Sequence, residues 1–267
     1  TIAADVLARW HRFMGEETWF LTGTDEHGAK VAQSAQAVGQ EPLDFCNAQA
    51  AKYQLAWAEL NISHNDFIRT TEERHESRAV QFLQRLKEAK TPQGNSALYQ
   101  GEYEGLYCVG CESYKQESDL VDGKCPDHGT APKLLKETNW FFRLSDYGET
   151  LKQLIAERAY AIAPDSRTNE VLGLIKTGLQ DVAITRRNLD WGIRVPWDSE
   201  QVFYVWIEAL LNYITGLDYP DGEKFEKYWQ SADSRSVNLM AKDIIKFHAI
   251  IWPAMLLSVG VRLPSLV

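Results

Sequence analysis

Three of the chain's four cysteines stand in one polar stretch, "CVGCESYKQESDLVDGKCPDHG". Cys108 and Cys111 are separated by two residues, and after a short loop Cys125 and His128 repeat that interval. Two such knuckles can bring three thiolates and an imidazole to the corners of a tetrahedron, the coordination that Zn2+ takes in structural sites. The intervening sequence has too few apolar residues to fold by burial, so a metal is expected to hold it. Four protein ligands leave no open position, which makes the expected zinc structural rather than catalytic. Accidental free cysteines are one alternative. A redox Cys-x-x-Cys is another, but it leaves Cys125 and His128 unexplained.

The rest of the chain reads as an α/β protein with this stretch inserted into it. Ile2, Val6, Leu7, Trp10 and Phe13 share a helical face, so an amphipathic helix is expected over residues 2–15. "TWFLTGTDEHG" then gives a strand from Thr18 to Thr22, an acidic turn and the helix "AKVAQSAQAVGQ". In such a unit ligands sit beyond the carboxyl ends of the strands. Helices are expected at 43–60 and 72–89. "TPQGNSALYQGEYEGLYC" breaks the pattern as a loop and β-ribbon leading into the cysteines, and "KLLKETNWFFRLS" leads out. Helices at 146–158 and 168–178 follow, with Asp165 or Ser166 as the N-cap of the second. "DVAITRRNLDWGIRVP" and "QVFYVWIEALLNYITGL" restore strand and helix, and "VNLMAKDIIKFHAIIWPAML" ends the chain as strand, turn and helix. The expected domains are 1–96 and 181–267 as two halves of one α/β unit, with 97–180 as the insertion.

Composition narrows the functional classes. The net charge of −9 rules out a bulk basic surface, so contact with nucleic acid needs a local patch. No apolar run reaches the ~18–20 residues of a membrane span, and "TIAADVLARWHRF" lacks the pattern of a signal peptide. A cytoplasmic location, with reduced thiols, is the default expectation.

Candidate chemistry lies at the ends of the expected strands. "TGTDEHG" offers Thr24, Asp25 and His27; "ITRR" offers Arg186; "AKDIIKFHAIIW" offers Asp243 at a helix entrance and His248 on its apolar stripe with Ile244 and Phe247. Trp206 and Tyr213, seven apart, would share a helix face about 10 Å from one another. Each has an ordinary alternative: a solvated turn, a surface arginine, an N-cap, a satisfied core histidine, a core aromatic pair.

In combination they are more specific. "TGTDEHG", the Cys/His insertion with its flanks "GEYEGLYC" and "NWFFRLS", "VWIEALLNYITGL" and "KDIIKFHAIIWPAML" occur in an order that resembles the methionyl-tRNA synthetases, class I aminoacyl-tRNA synthetases. The resemblance runs from Thr1 to Val267. It implies a Rossmann-like, parallel-sheet nucleotide-binding domain interrupted by a zinc-containing connective insertion. It also implies a reaction: methionine and ATP, with Mg2+, give methionyl-adenylate, and the aminoacyl group passes to tRNA(Met). Asp25 matches the aspartate that meets the methionine amino group, and Arg186 the arginine that pairs with it. Trp206, Tyr213 and His248 match the residues that close around the side chain, with Ile244 and Phe247 alongside. Asp243 corresponds to an aspartate near the adenylate ribose. A polarizable thioether suits such an aromatic surround.

Family members also carry HIGH-type and KMSKS-type motifs that grip ATP. Neither string occurs here, so the sequence is expected to be an incomplete part of a catalytic domain, and inactive as it stands. Ala241 stands where many relatives have glycine, and Ile251 where an aromatic is common. Two other readings stay open: a zinc-stapled α/β binding module without ATP chemistry, and a class I synthetase for another apolar amino acid.

Overall fold

The structure, a computed structural model, describes residues 1–111, 113–115, 117–187 and 189–267. Its first part is one α/β unit. Helix α1 (Ile2–Phe13) leads to β1 (Leu21–Thr24), α2 (Ala29–Ala37), α3 (Pro42–Glu59), β2 (Asp66–Arg69) and α4 (Glu73–Glu88). Strands β1 and β2 pair in parallel, Leu21 opposite Asp66 through Thr24 opposite Arg69. The first strand thus begins later than the sequence suggests, because the Trp19 and Phe20 region is tied instead to the loop before β2: Asn65 donates its amide to the Phe20 carbonyl, and its side-chain oxygen accepts from the Phe20 amide.

Helix α4 shows why its sequence is helical. His75, Ala79, Phe82, Leu83 and Leu86 recur at helical spacing and are buried on one face. Helix α1 does the reverse of what its pattern predicts. Its expected core face is exposed, with Ile2 and Val6 at 60% and Phe13 at 81%, while Asp5 and Ala8 are buried. The docked face is polar. Asp5 accepts from the Ser63 amide and hydroxyl and from Arg9, and Arg12 donates to the Ser63 carbonyl and the Asn65 side chain. Hydrogen bonds of this kind outweigh periodicity in choosing which face turns inward.

An antiparallel ribbon follows: β3 (Leu98–Cys108), β4 (Ser113–Lys115) and β5 (Lys133–Phe142), with β3 and β5 paired from Leu98–Phe142 to Tyr107–Lys133. Its base is an aromatic clasp, Tyr99 stacked on Phe141 with Arg143 over the Tyr99 ring. The cysteine stretch is the tip.

Helices α5 (Gly148–Ala156) and α6 (Asp165–Lys176) come next, the second starting earlier than expected. Asp165 lies within its first turn, where a carboxylate complements the helix dipole, and Pro164 occupies the N-cap position without a side-chain hydrogen bond. The expected single strand through "DVAITRR" is two, β6 (Val182–Ala183) on the ribbon sheet and β7 (Thr185–Arg186) on a separate sheet with β8 (Arg194–Val195) and β9 (Asp198–Phe203). The main chain passes between the sheets at buried Ile184, whose amide donates to the Trp140 carbonyl.

The helix expected through "VFYVWIEALLNYITGL" is broken into α7 (Val205–Ala209) and α8 (Asn212–Thr215), and the short α9 (Glu223–Phe225) and α10 (Trp252–Ser258) follow. The strand expected at "VNLM" is reduced to one bridge, Val237 to Leu266. Before α10 lie a 3-10 turn, Lys242–Ile244, and a π turn, Phe247–Ile251. Pro253 explains the second: it has no amide to give its preceding turn, and the wide turn absorbs that loss. The expected stripe is also too narrow. Residues His248 through Leu256 are all buried, as in a helix surrounded by protein.

Candidate functional site

Asp25 is exposed, between half-buried Thr24 and the buried run Glu26 to Gly28. Glu26 is buried and accepts from Arg69 at 2.8 and 2.9 Å, from Thr24 at 2.6 Å and from Thr71. Burial would raise its pKa, but these donors outweigh it and hold the carboxyl below its ordinary value. The Trp191 indole donates to the Glu26 carbonyl at 2.6 Å. His27 points the other way and meets Glu208 at 2.9 Å. A loop pinned on both flanks presents Asp25 without freedom to wander, which is how a binding carboxylate is preorganised.

Asp25 and Trp206 line one cavity of 330 Å³, together with His27, Lys30 and Phe45 and, from the ribbon tip, Gly110 and Cys111. Behind Trp206 the broken helix and the π turn meet. The Trp206 and Phe247 rings stack at 4.4 Å and 14°. The Tyr213 hydroxyl lies 2.7 Å from His248 Nε2, and His248 Nδ1 lies 3.1 Å from the Ile244 carbonyl. A carbonyl can only accept, so Nδ1 carries the proton and Nε2 accepts from tyrosine. Burial draws the His248 pKa down, with the Ile244 carbonyl opposing, so the neutral ring is favoured. The Tyr213 pKa is raised, chiefly by burial and then by the charge of Asp25.

Trp206 thus contacts Phe247, and Tyr213 contacts His248, which in turn meets the Ile244 carbonyl; Asp25 shares the cavity with Trp206. Asp243 is exposed on the 3-10 turn. Arg186 is buried, its guanidinium 4.0 Å over the Tyr204 ring and donating to the Ala183 and Thr185 carbonyls.

The ribbon tip fits a metal. One ligand atom from each of Cys108, Cys111, Cys125 and His128 lies within 4.8 Å of all the others. Cys111 Sγ is 3.5 Å from Cys125 Sγ and 3.3 Å from His128 Nδ1, while Cys125 and Cys108 are 3.8 and 4.0 Å from that nitrogen. Tetrahedral zinc with ligands at about 2.0–2.3 Å separates them by roughly 3.5–3.8 Å. Gly110 is needed for this closure, since a Cβ there would strike the His128 ring.

Periodicity overlooked Glu208, His75 and Thr215. The available signal was an acid inside an apolar run, "VWIEALL", where burial without a partner is costly.

The family model for tRNA synthetases class I (M) matches residues 1–133 and 116–267. The methionine–tRNA ligase of Streptomyces coelicolor is 44% identical over 275 aligned positions, 99% of this chain and 49% of the relative. The chloroplastic/mitochondrial methionine–tRNA ligase of Arabidopsis thaliana is 42% identical, covering 100% and 43%. The crystal structure of Mycobacterium tuberculosis methionyl-tRNA synthetase bound by methionyl-adenylate superposes with a TM-score of 0.91 at 39% identity, covering 99% of this chain and 52% of that one. Its apo form gives 0.81 at 36% identity, covering 99% and 50%. The chain spans about half the length of these relatives. Among the described residues, no helix is long and apolar enough to cross a membrane. With a parallel strand pair, a Cys/His cluster able to hold a metal and a family match along its whole length, the chain belongs to the class I tRNA synthetases, in their methionyl branch.

Proposed function

We propose that the chain forms the methionine-binding part of a methionine–tRNA ligase, which joins methionine to ATP as methionyl-adenylate and passes the aminoacyl group to tRNA(Met). The observation that carries this is the cavity shared by Asp25 and Trp206, with Phe247 stacked on Trp206 and the next residue, His248, bonded to Tyr213.

Asp25 would take the methionine ammonium, and Arg186 would act beside it near the forming adenylate. Trp206 and Phe247 offer a flat aromatic surface to the thioether, a favourable contact for polarizable sulfur. Tyr213 spends its proton on His248, so its oxygen keeps lone pairs and the wall stays soft. Ile244 fills the side, and Asp243 would face the ribose. The substrate carboxylate then attacks the α-phosphorus of ATP, forming one P–O bond as the bond to pyrophosphate breaks. Positioning of the reacting oxygens contributes most to the rate in such transfers. Mg2+ bound with ATP would neutralise charge on the departing phosphates.

Cys108, Cys111, Cys125 and His128, three thiolates and one imidazole, would hold Zn2+ in a structural role. The domain division is 1–96 and 181–267 around an insertion at 97–180, and the location is cytoplasmic.

The test is tryptophan fluorescence titrated with L-methionine, with L-leucine and L-isoleucine as controls. Trp206 lines the cavity, so a saturable change for methionine alone is expected. A response to leucine or isoleucine instead assigns another amino acid. A protein that binds methionine and yet, intact, forms no adenylate is a binding module.

A further inference from the structure

Glu208 has no part in the reading above, yet it is the hub of the most deeply buried polar network described. It is fully buried, as is His75. One carboxylate oxygen lies 2.9 Å from His27 Nδ1 and the other 2.9 Å from His75 Nε2. His75 continues to the Thr215 hydroxyl at 2.8 Å, and His27 Nε2 faces Glu76 at 3.5 Å. The network therefore ties the loop after β1, α4, α7 and α8.

Its members stand in a regular relation to the pocket. His27 is two residues after Asp25, Glu208 two after Trp206 and Thr215 two after Tyr213. Residues two apart on a helix point to nearly opposite sides, whereas residues two apart in an extended segment share a side. Asp25, His27 and Trp206 line the cavity and Tyr213 meets His248, so the network joins the loop that carries Asp25, at its neighbour His27, to the far sides of the two helices that carry Trp206 and Tyr213. A buried carboxylate is a poor choice for stability alone, because apolar side chains of similar volume often hold a core equally well. Burial works against charge on both partners, but their mutual hydrogen bonds prevail: His27 is raised to about 10 and Glu208 is held below its ordinary value.

We propose that Glu208 is a positioning residue of the methionine site, fixing the distance between the carboxylate that takes the amino group and the aromatic wall that takes the thioether. This rests on the methionine reading of the pocket. One group that registers both ends matters most to a ligand that must touch both at once. A ligand touching one end is indifferent to their separation.

The experiment compares wild-type protein with Glu208→Gln, which keeps the volume but removes the charge and one acceptor. Binding of three compounds is measured by fluorescence on the intact protein: L-methionine, 4-(methylthio)butanoate without the amino group, and L-2-aminobutyrate without the thioether. Glu208→Gln is expected to weaken methionine at least about tenfold and each one-ended compound by less than about threefold. Should Glu208→Gln fail to fold, Thr215→Val shortens the same network and is expected to give the same pattern at smaller amplitude. Equal weakening of all three compounds, or a lower melting temperature with methionine binding intact, overturns the proposal. Wild-type protein indifferent to methionine removes the reading beneath it, and that result is visible before any variant is compared.

Discussion

Tyr213 and His248 meet through a hydrogen bond of 2.7 Å between segments 35 residues apart in sequence. The bond closes the gap between α8 and the π turn, and its direction is fixed by the proton His248 gives to the Ile244 carbonyl. Tyr213→Phe removes the donor and leaves buried Nε2 unpaired. A loss of about 1–2 kcal/mol is expected, or roughly five- to thirtyfold in methionine affinity. The measure is the methionine KM in pyrophosphate exchange on the intact enzyme, with thermal stability beside it. An unchanged KM would mean that the hydroxyl has no bearing on the pocket.

The His27–Glu208 pair predicts how stability depends on pH. His27 is raised from 6.5 to about 10, because hydrogen bonds to Glu208 and Glu76 outweigh the burial that would lower it. Below pH 6.5 the ring is protonated folded and unfolded alike, and its contribution is complete. Between 6.5 and 10 the unfolded chain releases the proton while the folded chain keeps it, so the contribution is lost as pH rises. Glu208, lowered from 4.5, acts oppositely, with its contribution lost as pH falls below that value. The urea midpoint is expected to be higher at pH 6 than at pH 9.5, and Glu208→Gln should flatten that slope. Parallel slopes for the two proteins would remove the pair as its cause.

The sequence made some of this legible, and the reasons for the rest are physical. Helix α4 announces itself because its buried residues keep helical spacing. The knuckle is equally plain, since Cys108, Cys111, Cys125 and His128 are defined by spacing alone. Helix α1 misleads: periodicity says which residues share a face, not which face docks, and Asp5 and Arg12 decide it through Ser63 and Asn65. The π turn before Pro253 and the break between α7 and α8 leave no periodic trace in uniformly apolar sequence. Glu208 needed the fold, because its partners come from a loop and a helix more than a hundred residues away.

Metal at the ribbon tip should be separable from the first chemical step. Cys108→Ser and Cys125→Ser are each expected to release zinc, measured as metal per chain and falling from one towards none. Such sites contribute directly to local folding, so the tip would loosen while α1 to α4 hold. On the reading that the tip helps guide the tRNA end and takes no part in adenylate chemistry, transfer to tRNA should suffer far more than adenylate formation, even though Gly110 and Cys111 line the same cavity as Asp25. Equal damage to both steps would sink that reading.

Gly23 carries the last prediction. It pairs with Ile68 between β1 and β2, two residues before Asp25. A Cβ built there would collide with the Ile68 carbonyl, a backbone atom with no rotamer to escape into. Gly23→Ala must therefore part the two strands and shift the loop that follows Thr24. A destabilisation of about 2 kcal/mol or more is expected, with methionine affinity falling beyond what partial unfolding explains. Gly173→Ala serves as the comparison, for it lies inside α6 with open space around it. There alanine is expected to stabilise by roughly 0.5–1 kcal/mol, through its better helix propensity and the lower entropy of the unfolded chain. Denaturation midpoints of both variants decide the matter. If Gly23→Ala unfolds no earlier than wild type, the close approach of β1 to β2 is not what holds Asp25 in place.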